Sequence, residues 1–229
     1  MPRLLRHWVP GGIYHITARG NNREPIFHDS VDYQQYLLQL RQCRDALPYR
    51  LLAFALMPNH VHLVFEMLLA ASLSDVMQRV GKGYADYFNS RYERVGHVYQ
   101  GRFYSSFVNR EAYLLEVTRY VHLNPVRAGL CRQPHSYQWS SYQFYIRAEA
   151  DPLGLVEPTP ILSLFGSSQT GQVNRYRMFV EEMVQHEEKQ RRWLLKLRRD
   201  RLIPPKQWLE QVPRTYSALT GTRYLLTSL

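Results

Sequence analysis

Cysteine is almost missing from this chain: 229 residues contain two, Cys43 and Cys131, both in apolar surroundings. Two isolated thiols exclude a disulfide framework and give no metal-ligand spacing. No apolar run approaches the ~18 residues of a membrane-spanning helix, and no secretory leader pattern is present, so a soluble cytoplasmic protein is expected. Internal repeats and low-complexity tracts are also missing, as is a P-loop. Acidic residues are scarce, 19 Asp and Glu against 29 Lys and Arg, for a net charge of +10 and a pI near 9.7. That balance calls for a polyanionic partner, although ribosomal and membrane-surface proteins share it. The 17 tyrosines are the counterweight. Aromatic rings among basic side chains suit stacking on unpaired bases.

The most informative stretch is Met57-Pro58-Asn59-His60-Val61-His62-Leu63-Val64-Phe65. Its β-branched, apolar character reads as a strand, in which alternate side chains share a face. His60 and His62 then point the same way, roughly 6–7 Å apart, while Val61, Leu63 and Phe65 anchor the other face. Two imidazoles on one rigid face can hold one divalent metal without backbone movement, though a solvated pair of histidines fits this stretch alone equally well.

A second segment is Arg119-Tyr120-Val121-His122-Leu123-Asn124-Pro125-Val126-Arg127-Ala128-Gly129. The residues before it, 111–118, read as a helix with Leu114, Val117, Val121 and Leu123 as its apolar stripe and Asn109 as N-cap. Pro125 disfavours helical backbone at Asn124, so the helix is expected to end near there. Tyr120 and Asn124, four residues apart, share one side of the last turn. A phenol and an amide carbonyl presented together suit a nucleophile beside a metal ligand. A buried tyrosine before a helix-ending Asn-Pro turn is the plainer alternative. Tyr113 is the rival nucleophile by residue type, and His122, well round the helix from Tyr120, reads as structural.

Taken jointly, the His-Val-His strand and the Tyr-x-x-x-Asn-Pro segment about 58 residues later resemble the single-tyrosine HUH transposases, most closely the REP-associated tyrosine transposases. Pro10–Asn21, Gly101-Arg102-Phe103 and Trp139-Ser140-Ser141-Tyr142 agree with that resemblance, which covers about residues 1–147. It implies a single-strand DNA endonuclease and strand-transferase acting on hairpin-containing, REP-like repeats. Tyr120 would be the nucleophile, with His60, His62 and Asn124 as catalytic metal ligands for Mg²⁺ or Mn²⁺. Nitrogen ligands favour Mn²⁺ on affinity, and cellular abundance favours Mg²⁺. A tyrosine phenol ordinarily titrates at about 10 and needs help from a metal, a base or cations. Attack would give a 5′-phosphotyrosine and a free 3′-OH, retaining the phosphodiester energy without ATP. A bacterial, nucleoid-associated monomer or homodimer is implied. Replication initiators and relaxases share this chemistry but carry larger chains or a helicase.

The coarse pattern is strand 12–19, helix 29–46, strands 50–57 and 60–67, helix 72–90, strand 102–108 and the Tyr120 helix. This is an α+β layering, with one sheet and helices on one face. The order matches the ferredoxin-like (RRM-like) antiparallel sheet of the HUH fold, with the His60/His62 strand central. The expected organisation is a nuclease domain over 1–147, a proline- and glycine-marked linker over 148–171, and a basic helical C-terminal extension over 172–229. A long helix over 172–200 packs through Tyr176, Phe179, Val180, Met183 and Val184. A shorter helix is expected over Lys206–Gln211.

DNA contacts are expected from the turn containing Arg19, Asn21, Asn22 and Arg23, from Lys82 and Arg102, and from Arg191, Arg192, Arg198 and Arg199 on the long helix. Arg3, Arg6 and Arg94 extend this basic surface, and His97, Tyr99 and Gln100 flank Arg102. Two other functions use the same residues differently. One is a sequence-specific hairpin-binding protein without cleavage. The other is a metal-dependent phosphoesterase that activates water and tolerates Tyr120→Phe.

Overall fold

The computed structural model describes residues 9–68, 72–108, 111–147 and 151–199, without the side chains of Ala112 and residues 186–199. Arg3, Arg6, Asn109 and the helix expected over Lys206–Gln211 lie outside the described residues. In order, the first elements are β1 (Ile13–Arg19), α1 (Ser30–Ala46), β2 (Tyr49–Met57), β3 (His60–Met67), α2 (Leu73–Arg91), β4 (Tyr104–Val108) and α3 (Glu111–Arg127). The short helices α4 (Tyr142–Ile146) and α5 (Thr159–Leu162) and the long α6 (Gln169–Arg199) follow. The four strands form one antiparallel sheet in the order β2-β3-β1-β4. This is the expected ferredoxin-like arrangement, with the histidine strand β3 inside the sheet.

Strand register assigns every side chain to a face. Leu63 pairs with Ile16 and Phe54, so Tyr14, Ile16 and Ala18 share a face with Val61, Leu63 and Phe65. The apolar face is covered by α1 and α2: Tyr49, also on it, donates its hydroxyl to the Leu40 carbonyl at 2.6 Å and meets the Phe65 ring edge-on. Tyr36 and Tyr84 tie the two helices together with ring centroids 5.1 Å apart. The opposite face carries His15, Thr17 and Arg19 from β1 and His60, His62 and Val64 from β3. Helix α3 lies against that face, since its Tyr120 ring meets His15 and His62. Helices therefore cover both sides of the sheet, not one as expected. A sheet flanked on both faces also explains why nearly all of β2 is buried.

Helix α3 ends near Pro125, as expected, but the proline lies inside its last turn. The helix continues through Pro125 to Arg127, because the ring removes only one donor and the Asn124 carbonyl still accepts from Ala128 N at 2.9 Å. Termination falls at Gly129, whose φ of 72° is the left-handed conformation common just past a helix end.

Within the expected linker, the described residues from Asp151 to Leu162 are packed structure. Leu155, Val156 and Ile161 are buried. Glu157 N donates to the Leu51 carbonyl at 2.9 Å, and Arg44 clamps the Gly154 and Leu155 carbonyls at 2.7 and 3.0 Å. Further along the same edge of β2, Leu56 N donates to the Trp139 carbonyl and Ser141 N to the Phe54 carbonyl. A protected edge of this kind blocks unwanted strand pairing. The first compact unit runs to Val184 and takes in the start of α6, where Tyr176, Val180 and Val184 are buried as the periodicity indicated. The second unit begins at Gln185.

Candidate active site

The polar face of the sheet gathers three histidines around one tyrosine. His62 and Thr17 are paired across β3 and β1, with Ala55 on the far side of His62. One step along, Arg19 pairs with His60, and one step the other way His15 pairs with Val64. His15 Nε2 lies 3.0 Å from His62 Nδ1, with the ring planes 14° apart, and Thr17 Oγ1 is 3.4 Å from the same nitrogen. The Tyr120 ring stands edge-on to both, with centroids 5.7 Å from His15 and 5.5 Å from His62. His60 and His62 rings are 5.0 Å apart and nearly perpendicular.

Burial sets the charge state. Desolvation pushes His15 and His60 down to about 4, with the Arg19 guanidinium adding to the effect at His60. His62, the most buried, is held well below the ordinary range by desolvation first and by His15, His60 and Arg19 after it. All three are neutral at physiological pH, which is the form that ligates metals. Each candidate ligand also has one nitrogen occupied by a neighbour. His60 Nδ1 lies 2.7 Å from Asn59 Oδ1, so it carries the proton and donates, leaving Nε2 as a lone pair. His62 Nδ1 is engaged by His15 and Thr17, which leaves Nε2 as its remaining ring nitrogen.

Among the described residues, no group of three or more His, Cys, Asp or Glu is arranged to hold a metal. A cation here would depend on the two imidazoles plus oxygen donors of other kinds. Asn124 follows Tyr120 by one helical turn and donates Nδ2 to the Tyr120 carbonyl at 2.9 Å, which leaves its Oδ1 as an acceptor. Two neutral nitrogens and an amide oxygen fit a divalent ion of intermediate hardness. The Arg127 guanidinium sits 5.2 Å from the centre of the Tyr120 ring, adding positive charge beside the phenol.

The other sequence-derived residues divide. Arg19 is exposed at the His60 end of the site. Asn21, Asn22 and Arg23 form a short exposed turn with Asn22 and Arg23 at φ of 51° and 60°. Asn59 Nδ2 donates to the Arg23 carbonyl at 3.0 Å, joining this turn to the histidine strand. The segment before Arg102 runs along the same end: Gln100 N donates to the Arg19 carbonyl and Asn21 N to the Val98 carbonyl. Arg102 itself is exposed. Lys82 is not brought to the site. It lies on α2, behind the opposite face of the sheet, in an i,i+4 pair with Asp86. Arg94 is paired with Glu24 at 2.9 Å. The side chains of Arg191, Arg192, Arg198 and Arg199 lie outside the described residues.

His122 is structural, as its helical position indicated. It is fully buried, with Nδ1 2.7 Å from the Tyr176 hydroxyl and Nε2 2.8 Å from Ser141 Oγ, which in turn accepts from Phe54 N. His15 is the residue sequence reasoning missed. Its signal was the alternation of Tyr14, Ile16 and Ala18, which leaves His15, Thr17 and Arg19 on the remaining face.

The sheet thus presents a face of neutral histidines to a helix-borne tyrosine, and comparison with known proteins gives the family of the chain. The IS200-like transposase family model matches residues 9–124, just over half of the 229, and the chain belongs to that family. It is similar to a Haemophilus influenzae protein provisionally named a REP-associated tyrosine transposase, at 23% identity over 164 residues, covering 66% of this chain and 92% of that protein. Its fold is shared with a REP-associated tyrosine transposase solved bound to a REP hairpin, with a TM-score of 0.56 and 18% identity, covering 69% of this chain and 92% of that one. Among the described residues, no helix is long and apolar enough to cross a membrane.

Proposed function

We propose that this protein is a divalent-metal-dependent single-strand DNA endonuclease and strand-transferase that acts on hairpin-containing repeats through Tyr120. The observation that carries this reading is the Tyr120 ring edge-on to His62 at 5.5 Å, on a face with three neutral histidines and no competing acidic side chain in their pairing rows. A water-activating site needs no tyrosine there. Family membership and the hairpin-bound fold relative support DNA as the substrate.

In the proposed reaction the Tyr120 phenolic oxygen attacks the scissile phosphorus. The new O–P bond forms as the P–O3′ bond breaks, the phenolic proton is lost, and the departing 3′ oxygen takes up a proton. The products are a 5′-phosphotyrosine and a free 3′-OH. Reversal by another 3′-OH rejoins the strand without an external energy source. His60 Nε2, His62 Nε2 and Asn124 Oδ1 would hold Mg²⁺ or Mn²⁺. The bound ion would neutralise charge on the non-bridging phosphate oxygens. Arg19 and Arg127 add fixed positive charge around the nucleophile, and His15 and Asn59 hold the ligating histidines in one tautomer.

The test uses 5′- and 3′-labelled hairpin oligonucleotides with Mg²⁺ or Mn²⁺. Wild type, Tyr120→Phe and a His60→Ala/His62→Ala double variant are compared for a covalent adduct on denaturing gels. An adduct on the 3′-side fragment, lost in both variants, is expected. Cleavage that persists without adduct in Tyr120→Phe would transfer the reading to a water nucleophile. Tight binding with no cleavage of any hairpin would make the protein a binding module.

A further inference from the structure

We propose that Tyr104 is a stacking platform for an unpaired base of the strand whose phosphate reaches Tyr120, an inference that rests on the single-strand DNA reading above. Tyr104 opens β4 and pairs with Thr17, which pairs in turn with His62. The three therefore form one cross-strand row on a single face, with the Tyr104 backbone about 10 Å, two strand spacings, from that of His62. β4 is an edge strand, and among the described residues nothing pairs with its outer side.

Single exposed apolar residues are ordinary on protein surfaces. Tyr104 differs in its exposure and its position. It is 68% exposed, while Tyr14 and Tyr49 in the same sheet are buried. Phe107, on the other face of β4, leans on Tyr14 with ring centroids 5.4 Å apart. Among the described residues no ring lies against Tyr104 in this way. Cations flank it in the pattern a nucleotide chain requires. Arg102 is exposed two residues ahead on the same strand approach, and Arg19 is exposed on the same face of β1. A strand entering over the β4 edge meets a guanidinium for a phosphate, a ring for a base, and then the histidine–tyrosine centre. Stacking of this kind tolerates any base, because every base has a π-face.

The experiment uses the full chain in a Tyr120→Phe background, where DNA is bound and not cut. Hairpins with a single-stranded tail on either side carry one 2-aminopurine, moved along the tail. Quenching at one or two adjacent positions is expected, lost in Tyr104→Thr and kept in Tyr104→Phe. Threonine keeps the β-propensity of the position while removing the ring. Affinity for the tailed hairpin should fall about 5-fold or more in Tyr104→Thr, while a blunt hairpin binds unchanged. Phe107→Thr, on the opposite face of the strand, should leave the quench in place. Quenching and affinity in Tyr104→Thr equal to the parent would overturn the inference, as would an equal loss for tailed and blunt hairpins. The adduct assay on the same oligonucleotides, with Tyr120 intact, separates the two claims. Adduct formation with no Tyr104 effect removes the platform alone, and failure of the parent to bind any tailed hairpin removes both.

Discussion

His15 Nε2 lies 3.0 Å from His62 Nδ1, so the ring that would present a lone pair from Nε2 is held by another histidine rather than by a carboxylate. A partner that fixes the tautomer of a metal-ligating histidine is typically worth ~10–100-fold in affinity. His15→Ala should weaken Mn²⁺ binding by that order, measured by electron paramagnetic resonance titration, with unchanged circular dichroism. Undiminished binding would leave Thr17 as a sufficient partner and remove His15 from the site.

Asn59 does two jobs from one side chain. Its Oδ1 accepts from His60 Nδ1 at 2.7 Å and its Nδ2 donates to the Arg23 carbonyl at 3.0 Å. Asn59→Asp keeps the acceptor and loses the donor, whereas Asn59→Ala loses both. Metal affinity should therefore fall about 10-fold or more in the alanine variant. In the aspartate variant it should hold, with hairpin affinity weakened through the freed 21–23 turn. Equal metal affinity in all three proteins would show that the His60 tautomer does not depend on Asn59.

Gly20 closes β1 where the candidate DNA-contacting turn leaves the sheet. A Cβ there would stand 2.3 Å from the Glu24 carbonyl oxygen and 2.8 Å from Ile26 Cγ2. The backbone at this point also donates to the Asn59 carbonyl at 2.8 Å, so relief by movement displaces the histidine strand. Gly20→Ala should cost ~1–3 kcal/mol by overpacking, read from urea midpoints at constant slope. A midpoint within error of wild type would mean that the turn yields without cost.

His122 links stability to pH. Burial holds it at about 3 in the folded chain, against an ordinary value of 6.5. Between those values the unfolded chain binds the extra proton, so unfolding free energy rises with pH. The contribution is complete above about 6.5 and is lost as pH falls toward about 3. Urea midpoints should thus decline through that window, with a shallower slope in His122→Asn. A variant slope equal to wild type would assign the acid sensitivity to the other buried histidines.

The histidine face of β3 was legible in the sequence because strand alternation is local. His60 and His62 share a face whatever surrounds them, as Tyr120 and Asn124 share a helical turn. The element order was legible for the same reason, from periodicity and turn residues. The prolines of 152–160 misled, since a proline marks where a chain bends and not whether it is packed. Leu155, Val156 and Ile161 were the signal that this segment is buried against the sheet.

What only the tertiary structure decided is which surfaces meet. The His15–His62 contact joins strands 47 residues apart, and Lys82 is separated from the site by the thickness of the sheet. Helix α3 crosses the face opposite α1 and α2, a choice its own sequence does not state, because its apolar stripe would pack against either side. Periodicity specifies which side chains share a face. Which faces pair is settled by long-range burial, and here that burial places a third histidine and a tyrosine over the first two.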